Sequence, residues 1–249
     1  AVNNSGIAVG FWNPGIGENE AVLWKANGKV TVLAGLPGGS SDWAFGVNDA
    51  GVIVGQSQNH AVRWIDGVVE DLHPPAYGKS RATDINSAGD IVGWVEYVTG
   101  EHRAYLWHAD GSQEELGVLP GDLHSEAAAV NDAVTVVGSS GPLLSMSIAF
   151  VWTDATGIAD AQLGVAKTVG ADVAGSGRLV GYHEFVLNNQ SQSIALTRLG
   201  NVLDTLPNPL GILARAHGVN LCGTVVGTVE SAMPGSARAV IWSKPSCDP

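Results

Sequence analysis

The stretch ATDINSAGDIVGWVEYVTGEHRAYLWHADGSQEELG, residues 82–117, contains the parts from which the whole chain is built. An Asn-Ser-Ala-Gly turn is followed by an apolar pair and Gly93, and Trp107 precedes an Asp-Gly turn. Because glycine readily adopts positive φ, both turns suit tight connections between antiparallel strands. The stretch therefore predicts four strands, at residues 82–86, 90–96, 103–108 and 112–116.

The same order of parts recurs in six units along the chain. The units align on the apolar residue before the first turn, at positions 2, 47, 85, 130, 173 and 219, so they are 45, 38, 45, 43 and 46 residues apart. Five units have a tryptophan at one position: Trp24, Trp64, Trp107, Trp152 and Trp242. Thr197 is assigned to this position in the fifth unit. Self-similarity at such a period is typical of stacked repeats.

Four-stranded sheets, stacked face to face, explain the hydrophobic pattern. Runs such as GVIVG, residues 51–55, are apolar without alternation, which indicates strands covered on both faces. We therefore predict an all-β chain with one domain over residues 1–249, a six-bladed β-propeller of four-stranded blades. The blades correspond to residues 1–43, 44–81, 82–126, 127–169, 170–215 and 216–249. Only SKPSCDP follows the third strand of the last blade, which is expected to lack its outer strand; an open β-solenoid is the alternative.

The composition limits the classes of function. Of the 249 residues, 45% are hydrophobic and 14% are charged, and the formal net charge is −12. This charge would repel phosphates, so we expect no nucleic-acid partner. No apolar run reaches the ~18 residues of a membrane-spanning helix, so we expect no membrane insertion. Common metal, phosphate-loop and nucleophile-elbow motifs are missing from the sequence, and we expect no cofactor and no metal.

Several repeat motifs are similar to those of a known family. They are HAVRW (residues 60–64), RAYLW (103–107), IAFVW (148–152), LGVLPG (116–121) and VNDAGVIVG (47–55). The pattern resembles the HAF-repeat family, which is named for a His-Ala-Phe signature before an apolar residue and Trp. The fifth unit departs from it, with IALTR (194–198) and DVAGSG (172–177). The resemblance implies a bacterial repeat protein outside the cytoplasm, and it implies no catalytic residues because the motif is structural.

The candidate binding residues lie at one face of the predicted propeller. First strands usually start at the face that carries the second-to-third-strand loops, called the top; these loops vary in length here, which is typical of binding loops. The candidates enter the first strands from the top or lie beside them: Asp42, Trp43, Lys79, Arg81, His124, Glu126, Arg215 and His217. They could hold a carboxylated or sugar-like ligand by arginine contacts and tryptophan stacking. Alternatively, Arg81, Glu126 and Arg215 pair across blades and close the channel.

We expect a monomeric binding or scaffolding protein that is secreted, periplasmic or on the cell surface. Its top loops would recognise a glycan, a small molecule or a protein, with Trp12, Tyr97 and Tyr182 as stacking residues. One alternative is a hydrolase or lyase with an active site in the top central mouth, and a purely structural spacer is another. The second residues of the first strands are largely apolar, which disfavours a central metal: Phe45, Thr83, Ala128, Ala171 and His217.

The chain has two cysteines, Cys222 and Cys247. Cys222 is expected in the first turn of the last blade and Cys247 just after its third strand, so both thiols would reach the same end of that blade. We predict a Cys222–Cys247 disulfide, which would fix the C-terminus and favour an oxidising compartment. A buried free Cys222 and an unpaired Cys247 are the alternative.

Overall fold

The chain is built from β-strands, as predicted. A computed structural model describes residues 1–15, 18–39, 41–164, 167–187, 190–209, 211–231 and 236–242, and all regular structure in these ranges is strand. None of the described residues belongs to a helix long and apolar enough to cross a membrane. The chain divides into two compact units, called unit 1 (Ala1–Leu116) and unit 2 (Gly117–Pro249).

Unit 1 contains three antiparallel sheets. Sheet 1 is formed by β1 (Ala8–Gly15), β2 (Glu18–Trp24) and β3 (Val30–Val32). Sheet 2 is formed by β4 (Asp42–Val47), β5 (Ile53–Ser57), β6 (His60–Ile65) and β7 (Val68–Asp71). Sheet 3 is formed by β8 (Lys79–Ile85), β9 (Ile91–Glu96), β10 (His102–Trp107) and β11 (Gln113–Gly117).

Unit 2 contains sheets 4, 5 and 6. Sheet 4 is formed by β12 (His124–Val130), β13 (Val136–Leu143), β14 (Met146–Thr153) and β15 (Gly157–Asp160). Sheet 5 is formed by β16 (Thr168–Val173), β17 (Leu179–Leu187), β18 (Gln190–Leu199) and β19 (Val202–Thr205). Sheet 6 is formed by β20 (Leu213–Val219), β21 (Val225–Glu230) and β22 (Arg238–Trp242). One parallel pair, Ser193 with Leu213, joins β18 to β20, so sheets 5 and 6 form a continuous seven-stranded sheet.

The predicted strand order recurs in the sheets, with two departures. Sheets 2, 3 and 4 have the four strands expected, and sheet 3 reproduces the opening stretch to within a few residues. Sheet 1 has three strands, because its predicted first strand is reduced to an isolated bridge between Val2 and Ala8. Sheets 5 and 6 are fused instead of separate. The arrangement in six four-stranded blades and the single domain stay predictions.

The hydrophobic core lies between successive sheets of each unit. Val9 of sheet 1 clusters with Trp64 of sheet 2, and Val54 of sheet 2 clusters with Trp107 of sheet 3. In unit 2, one cluster joins sheets 4 and 5 and another joins sheets 5 and 6. Every residue of β5 is buried. The runs without alternation are therefore strands covered on both faces, as the sequence indicated.

The first strand of five sheets contains a β-bulge at one repeat position. The register shifts at Phe45, Thr83, Ala128, Ala171 and His217. On the facing second strand, a Cβ on the repeat glycine would overlap the carbonyl oxygen two residues before the bulge. The overlapping pairs are Gly55 with Trp43, Gly93 with Arg81, Gly138 with Glu126, Gly181 with Val169 and Gly227 with Arg215. The close approach of the two backbones at the bulge therefore requires glycine at this position.

Asparagine side chains in the first turns hydrogen-bond in two directions. Oδ1 of Asn48 accepts from the Val52 N–H within its own turn at 3.0 Å, the backbone capping that is typical of asparagine in turns. Nδ2 of Asn48 donates to the Asn86 carbonyl of the next sheet at 3.1 Å. Asn131 donates to the Ala174 carbonyl in the same way, also at 3.1 Å. These side chains therefore link neighbouring sheets as well as capping their own turns.

The fifth repeat replaces this link with a carboxylate. Ala174 stands where the other first turns have asparagine, so no amide is present to reach sheet 6. Asp172 Oδ2 accepts a hydrogen bond from the Val219 N–H of sheet 6 at 2.8 Å instead. Burial raises the pKa of Asp172, although the hydrogen bonds from the Val219 and Val173 backbones oppose that shift.

Ala174→Asn is expected to increase the free energy of unfolding by about 1 kcal/mol, because the new Nδ2 would donate to the Asn220 carbonyl as Asn131 donates to Ala174. A thermal unfolding experiment should then give a Tm that is roughly 2–4 °C higher. Ser176→Asn, at an exposed position of the same turn, is the control and should leave the Tm unchanged. A lower Tm for Ala174→Asn would contradict this account of the inter-sheet link.

The repeat tryptophans bond to the connection that precedes their own sheet. Trp64 Nε1 donates to the Ala34 carbonyl at 2.8 Å, and Trp107 Nε1 donates to the Leu72 carbonyl at 2.9 Å. In unit 2, Trp242 Nε1 donates to the Pro207 carbonyl at 2.8 Å. Each indole thus fills space in its own sheet and satisfies a carbonyl of the connection.

The assignment of Thr197 to the tryptophan position is wrong. Leu179 lies opposite Arg198 in sheet 5, as Ile91 lies opposite Trp107 in sheet 3, so Arg198 occupies this position. Its Nη1 donates to the Ala161 carbonyl at 3.0 Å, a bond equivalent to that of the indole N–H. Arginine therefore keeps the hydrogen bond of the anchor but not its aromatic bulk.

The predicted disulfide involves a residue outside the described ranges. Cys222 lies in the turn between β20 and β21, as expected, whereas Cys247 is not among the described residues. The Cys222–Cys247 pairing stays a prediction. Thiol titration in denaturant without reductant should detect no reactive thiol, and two reactive thiols would contradict the disulfide.

Candidate functional site

Strand pairing places seven of the eight candidate residues near one end of sheets 2, 3, 4 and 6, which we call the loop end. His217 is the exception, because it lies at the bulge of β20, nearer the other end of sheet 6. In sheet 2, Asp42 at the start of β4 pairs with Ser57 at the end of β5, and His60 begins β6. The other end, the turn end, carries the first turns; both assignments agree with the sequence prediction. Four candidates lie in unit 1 and four in unit 2: Asp42, Trp43, Lys79 and Arg81, then His124, Glu126, Arg215 and His217.

Arg81 is held between sheets 2 and 3. Its Nη2 donates to Gln56 Oε1 at 3.2 Å. The guanidinium carbon lies 5.1 Å from the ring centroid of Phe45 and 5.3 Å from that of Trp94, within the range of cation–π attraction. Arg81 therefore packs against the preceding sheet, and its predicted pairing with Glu126 and Arg215 stays a prediction.

Glu96 binds two basic side chains at the loop end of sheet 3. Lys79 Nζ lies 3.0 Å from its Oε1, and His102 Nε2 lies 3.1 Å from its Oε2. Trp94 stacks on His102 with ring centroids 4.3 Å apart. Burial alone raises the pKa of Glu96, but the hydrogen bonds and charges of Lys79 and His102 outweigh it and lower the pKa. The carboxylate is therefore ionised at neutral pH and committed to its partners.

Glu184 binds two basic side chains in unit 2, as Glu96 does in unit 1. It accepts from Lys167 Nζ and from Arg215 Nη2, each at 2.9 Å. The Arg215 guanidinium also lies over the Tyr182 ring at 5.4 Å, so Tyr182 packs between sheets 5 and 6. Burial raises the pKa of Glu184, and the bonds from Lys167 and Arg215 outweigh that effect and lower it.

Sequence reasoning missed both glutamates. Glu96 and Glu184 each stand three residues after the repeat glycine of their sheet. Their partners Lys79 and Lys167 also share one repeat position, two residues before the carbonyl that faces that glycine. The recurrence of this lysine with this glutamate in two of six units was the signal that could have identified the pairs.

The remaining candidates of unit 2 include two histidines, His124 and His217. His217 Nε2 lies 3.1 Å from Thr228 Oγ1 of the neighbouring strand. Burial lowers the pKa of His217, and the charge of Arg215 lowers it further. His124 and Glu126 lie half-buried at the start of β12. In the part of the chain that the structure describes, no three His, Cys, Asp or Glu side chains are grouped as metal ligands.

Asp42 and Trp43 begin β4 and are half-buried. Burial raises the pKa of Asp42, and a hydrogen bond with Ser57 opposes the shift. Asp42 Oδ1 is buried and has no hydrogen-bond partner among the described residues. A carboxyl in such surroundings favours its neutral form more than an exposed one does.

Glu184→Gln is expected to lower the free energy of unfolding at pH 7 by about 1–2 kcal/mol, because two charge-assisted hydrogen bonds are weakened. Since the folded pKa lies below the ordinary value of 4.5, this contribution is complete above pH 4.5 and is lost as the pH falls through the folded pKa. Urea unfolding of both proteins between pH 7 and pH 3 measures the difference, which should shrink below pH 4.5.

Glu70→Gln provides the matched control for this titration. Glu70 pairs with Arg63 at 2.7 Å, but the Glu70 side chain is 45% exposed, against 23% for Glu184, so the change should stay within about 0.5 kcal/mol. A Glu184→Gln effect that is independent of pH would rule out an electrostatic origin.

The loop-end hairpins carry exposed apolar side chains. In unit 1, Phe11 and Trp12 of sheet 1 are 52% and 57% exposed. In unit 2, Met146 of sheet 4 is 61% exposed and Val186 of sheet 5 is 71% exposed. We call the whole set the tip residues: Phe11, Trp12, Val98, Leu143, Leu144, Met146, Val186 and Leu187. Exposed apolar side chains grouped on hairpin tips are typical of contact surfaces for other molecules.

Comparisons with known proteins bear on the fold. No protein-family model matches the sequence, and no curated protein matches it. TolB from Acinetobacter baumannii is 10% identical, with a TM-score of 0.54 over 96% of this chain and 63% of that chain. A chain assigned as a TolB from Agrobacterium tumefaciens is 13% identical, with a TM-score of 0.61 over 94% of this chain and 84% of that chain.

These similarities concern architecture only. At 10–13% identity they indicate a shared fold, and the chain has a β-propeller-like fold. The chain spans less than two thirds of the Acinetobacter TolB chain. A shared fold does not determine function, which depends on the side chains of this protein.

Proposed function

We propose that this chain is a non-enzymatic binding module, located outside the cytoplasm, that recognises a protein partner with the tip residues of unit 2. The observation that carries the proposal is a contrast at the loop end. The charged candidates of each unit are bonded to neighbours, whereas the tip residues present apolar surface to solvent. Desolvation of such side chains is the main source of affinity in protein interfaces.

The pairing of the basic residues supports a protein partner over a small carboxylate at this end. Lys79, Lys167 and Arg215 each already bind a glutamate, and Arg81 lies against Gln56 and two aromatic rings. A carboxylate ligand would have to displace these contacts before it could bind. Apolar tips require no such exchange.

A glycan is the second candidate, and Trp12 is the observation that favours it. Its indole is 57% exposed on the β1–β2 hairpin, and exposed indoles provide stacking surfaces for sugar rings. The proposed location outside the cytoplasm rests on the resemblance to the HAF-repeat family and on the predicted disulfide.

Selection from a random peptide display library, with the purified chain immobilised, tests the proposal. Enriched peptides should be rich in apolar and aromatic residues. The double variant Leu143→Ser/Met146→Ser should weaken their binding at least tenfold. The control Val30→Ser/Val32→Ser removes two valines of similar exposure from β3, which is not part of a loop-end hairpin, and should retain binding within twofold.

A parallel glycan array separates the alternatives. If the chain binds a sugar and Trp12→Ala loses that binding, the proposed partner would be a glycan instead of a protein. Peptide binding that is equal in the tip variant and the control would overturn the proposal, and so would turnover of an ester or glycoside substrate by the chain.

A further inference from the structure

An open cavity of about 230 Å³ lies at the turn end of unit 2, between sheets 4 and 5. Its lining residues come from both sheets and their turns: Thr135, Val151, Gly177, Leu179, Arg198, Gly200 and Asn201. Within unit 2 this cavity lies at the end opposite the tip residues of that unit, and the proposed recognition of a protein does not use it.

The cavity coincides with the irregular position of the fifth repeat. Trp64 and Trp107 occupy the equivalent position in sheets 2 and 3, where the indoles are 0% and 3% exposed. Arg198 takes over the hydrogen bond to the preceding connection but contributes a narrower side chain. A planar guanidinium leaves room where an indole would fill the space between the sheets.

Arg198 carries a charge that is balanced by no carboxylate of the described residues. Its two hydrogen bonds go to neutral oxygens, the Ala161 carbonyl and Gln162 Oε1, both at 3.0 Å. No Asp or Glu among the described residues forms an ion pair with it, although the chain carries a formal net charge of −12. Arginine stays protonated at all physiological pH values and has five N–H donors, so donors remain available.

The other lining residues complete a small amphipathic site. Val151 and the buried Leu179 provide an apolar floor, and Thr135 and Asn201 contribute a hydroxyl and an amide. At Gly200, φ is +58°, and no atom lies within 4 Å of the place a Cβ would occupy, so the rim is open. The volume is below the roughly 300–1,000 Å³ of sites for drug-sized molecules.

We propose that this cavity, the Arg198 pocket, binds a small monocarboxylate with a short apolar chain. The carboxylate would accept hydrogen bonds from the guanidinium, and the apolar chain would lie on Val151 and Leu179. Arg198 is the single cation among the lining residues, so one negative charge is matched better than two.

Isothermal titration with sodium butyrate at constant ionic strength tests the Arg198 pocket. Arg198→Trp restores the residue of the other repeats and fills the cavity, and it should lower butyrate affinity at least tenfold. Arg198→Met removes the charge and should also lower butyrate affinity at least tenfold. This second variant keeps the test valid if the tryptophan variant fails to fold. Asn201→Ala should lower the affinity about two- to fivefold.

The control uses Arg178, a neighbouring guanidinium outside the cavity. Arg178 Nη1 donates to Thr197 Oγ1 at 3.3 Å, and Arg178→Met should leave butyrate affinity within twofold. Equal losses in Arg178→Met and Arg198→Met would mean diffuse attraction of anions and would overturn the site. Sulfate binding as tight as butyrate binding would overturn the preference for a carboxylate. If butyrate at millimolar concentrations gives no heat of binding, both the preference and the site are overturned.

Discussion

Gly93→Ala is expected to lower the free energy of unfolding by about 3 kcal/mol or more, although it adds a single methyl group. The new Cβ would overlap the Arg81 carbonyl oxygen and lie 3.0 Å from the Ala82 Cα. Both contacts are to backbone atoms at the bulge of β8, so relief requires that β8 and β9 separate. No side-chain rotation can remove the clash.

Thermal unfolding of the variant should show a Tm lower by roughly 6–12 °C. Gly15→Ala is the matched control, because a Cβ at Gly15 would meet no atom within 4 Å. Its Tm should change by roughly 2 °C or less. Equal, small shifts in both variants would mean that the bulge adjusts freely, and the steric explanation of the repeat glycine would fail.

Trp64→Ala is expected to lower the free energy of unfolding by about 3–5 kcal/mol. Trp64 is fully buried between sheets 1 and 2, so truncation leaves a large cavity in that cluster. It also removes the donor to the Ala34 carbonyl, which then needs another partner. Trp64→Phe keeps most of the apolar volume and should lose about 1–3 kcal/mol.

Urea unfolding measures these losses, with Trp12→Ala as the control of the same residue type. Trp12 is 57% exposed, so its truncation should change stability by less than about 0.5 kcal/mol. Similar losses at Trp64 and Trp12 would show that the repeat position contributes nothing specific. A Trp64→Phe loss as large as that of Trp64→Ala would assign the effect to the hydrogen bond alone.

The repeat architecture was predictable because its signals act locally. Asparagine caps the backbone of its own turn, and tryptophan recurs at one repeat position, where Trp64, Trp107 and Trp152 are buried. Gly93 and its equivalents were recognised as repeat markers from the sequence. Their cause, the bulge on the facing strand, was not, since Phe45, Thr83 and His217 have no chemistry in common. A bulge is a feature of the pairing between two backbones. It could not be predicted here from the side chains that occupy it.

The candidate site was predicted less well because its contacts join separate repeats. The positions of Arg81 and Arg215 at the loop end were found, but their partners Gln56 and Glu184 belong to the preceding sheets. The packing between sheets determines which neighbour a long side chain reaches. The spacing of residues within one repeat carries no information about that packing. The tryptophan position of the fifth unit was assigned to Thr197, one residue before Arg198, because that unit has no tryptophan to mark the register.

The parallel pair between Ser193 and Leu213 has a consequence for cooperativity. The Ser193 N–H donates to the Ile212 carbonyl at 3.3 Å, and the Ala214 N–H donates to Ser193 Oγ at 3.1 Å, so one backbone bond and one bond to a side chain join the two repeats. In repeat proteins, the coupling between neighbours sets how many repeats open together. We therefore expect the amide hydrogens of sheets 5 and 6 to exchange through a common opening event.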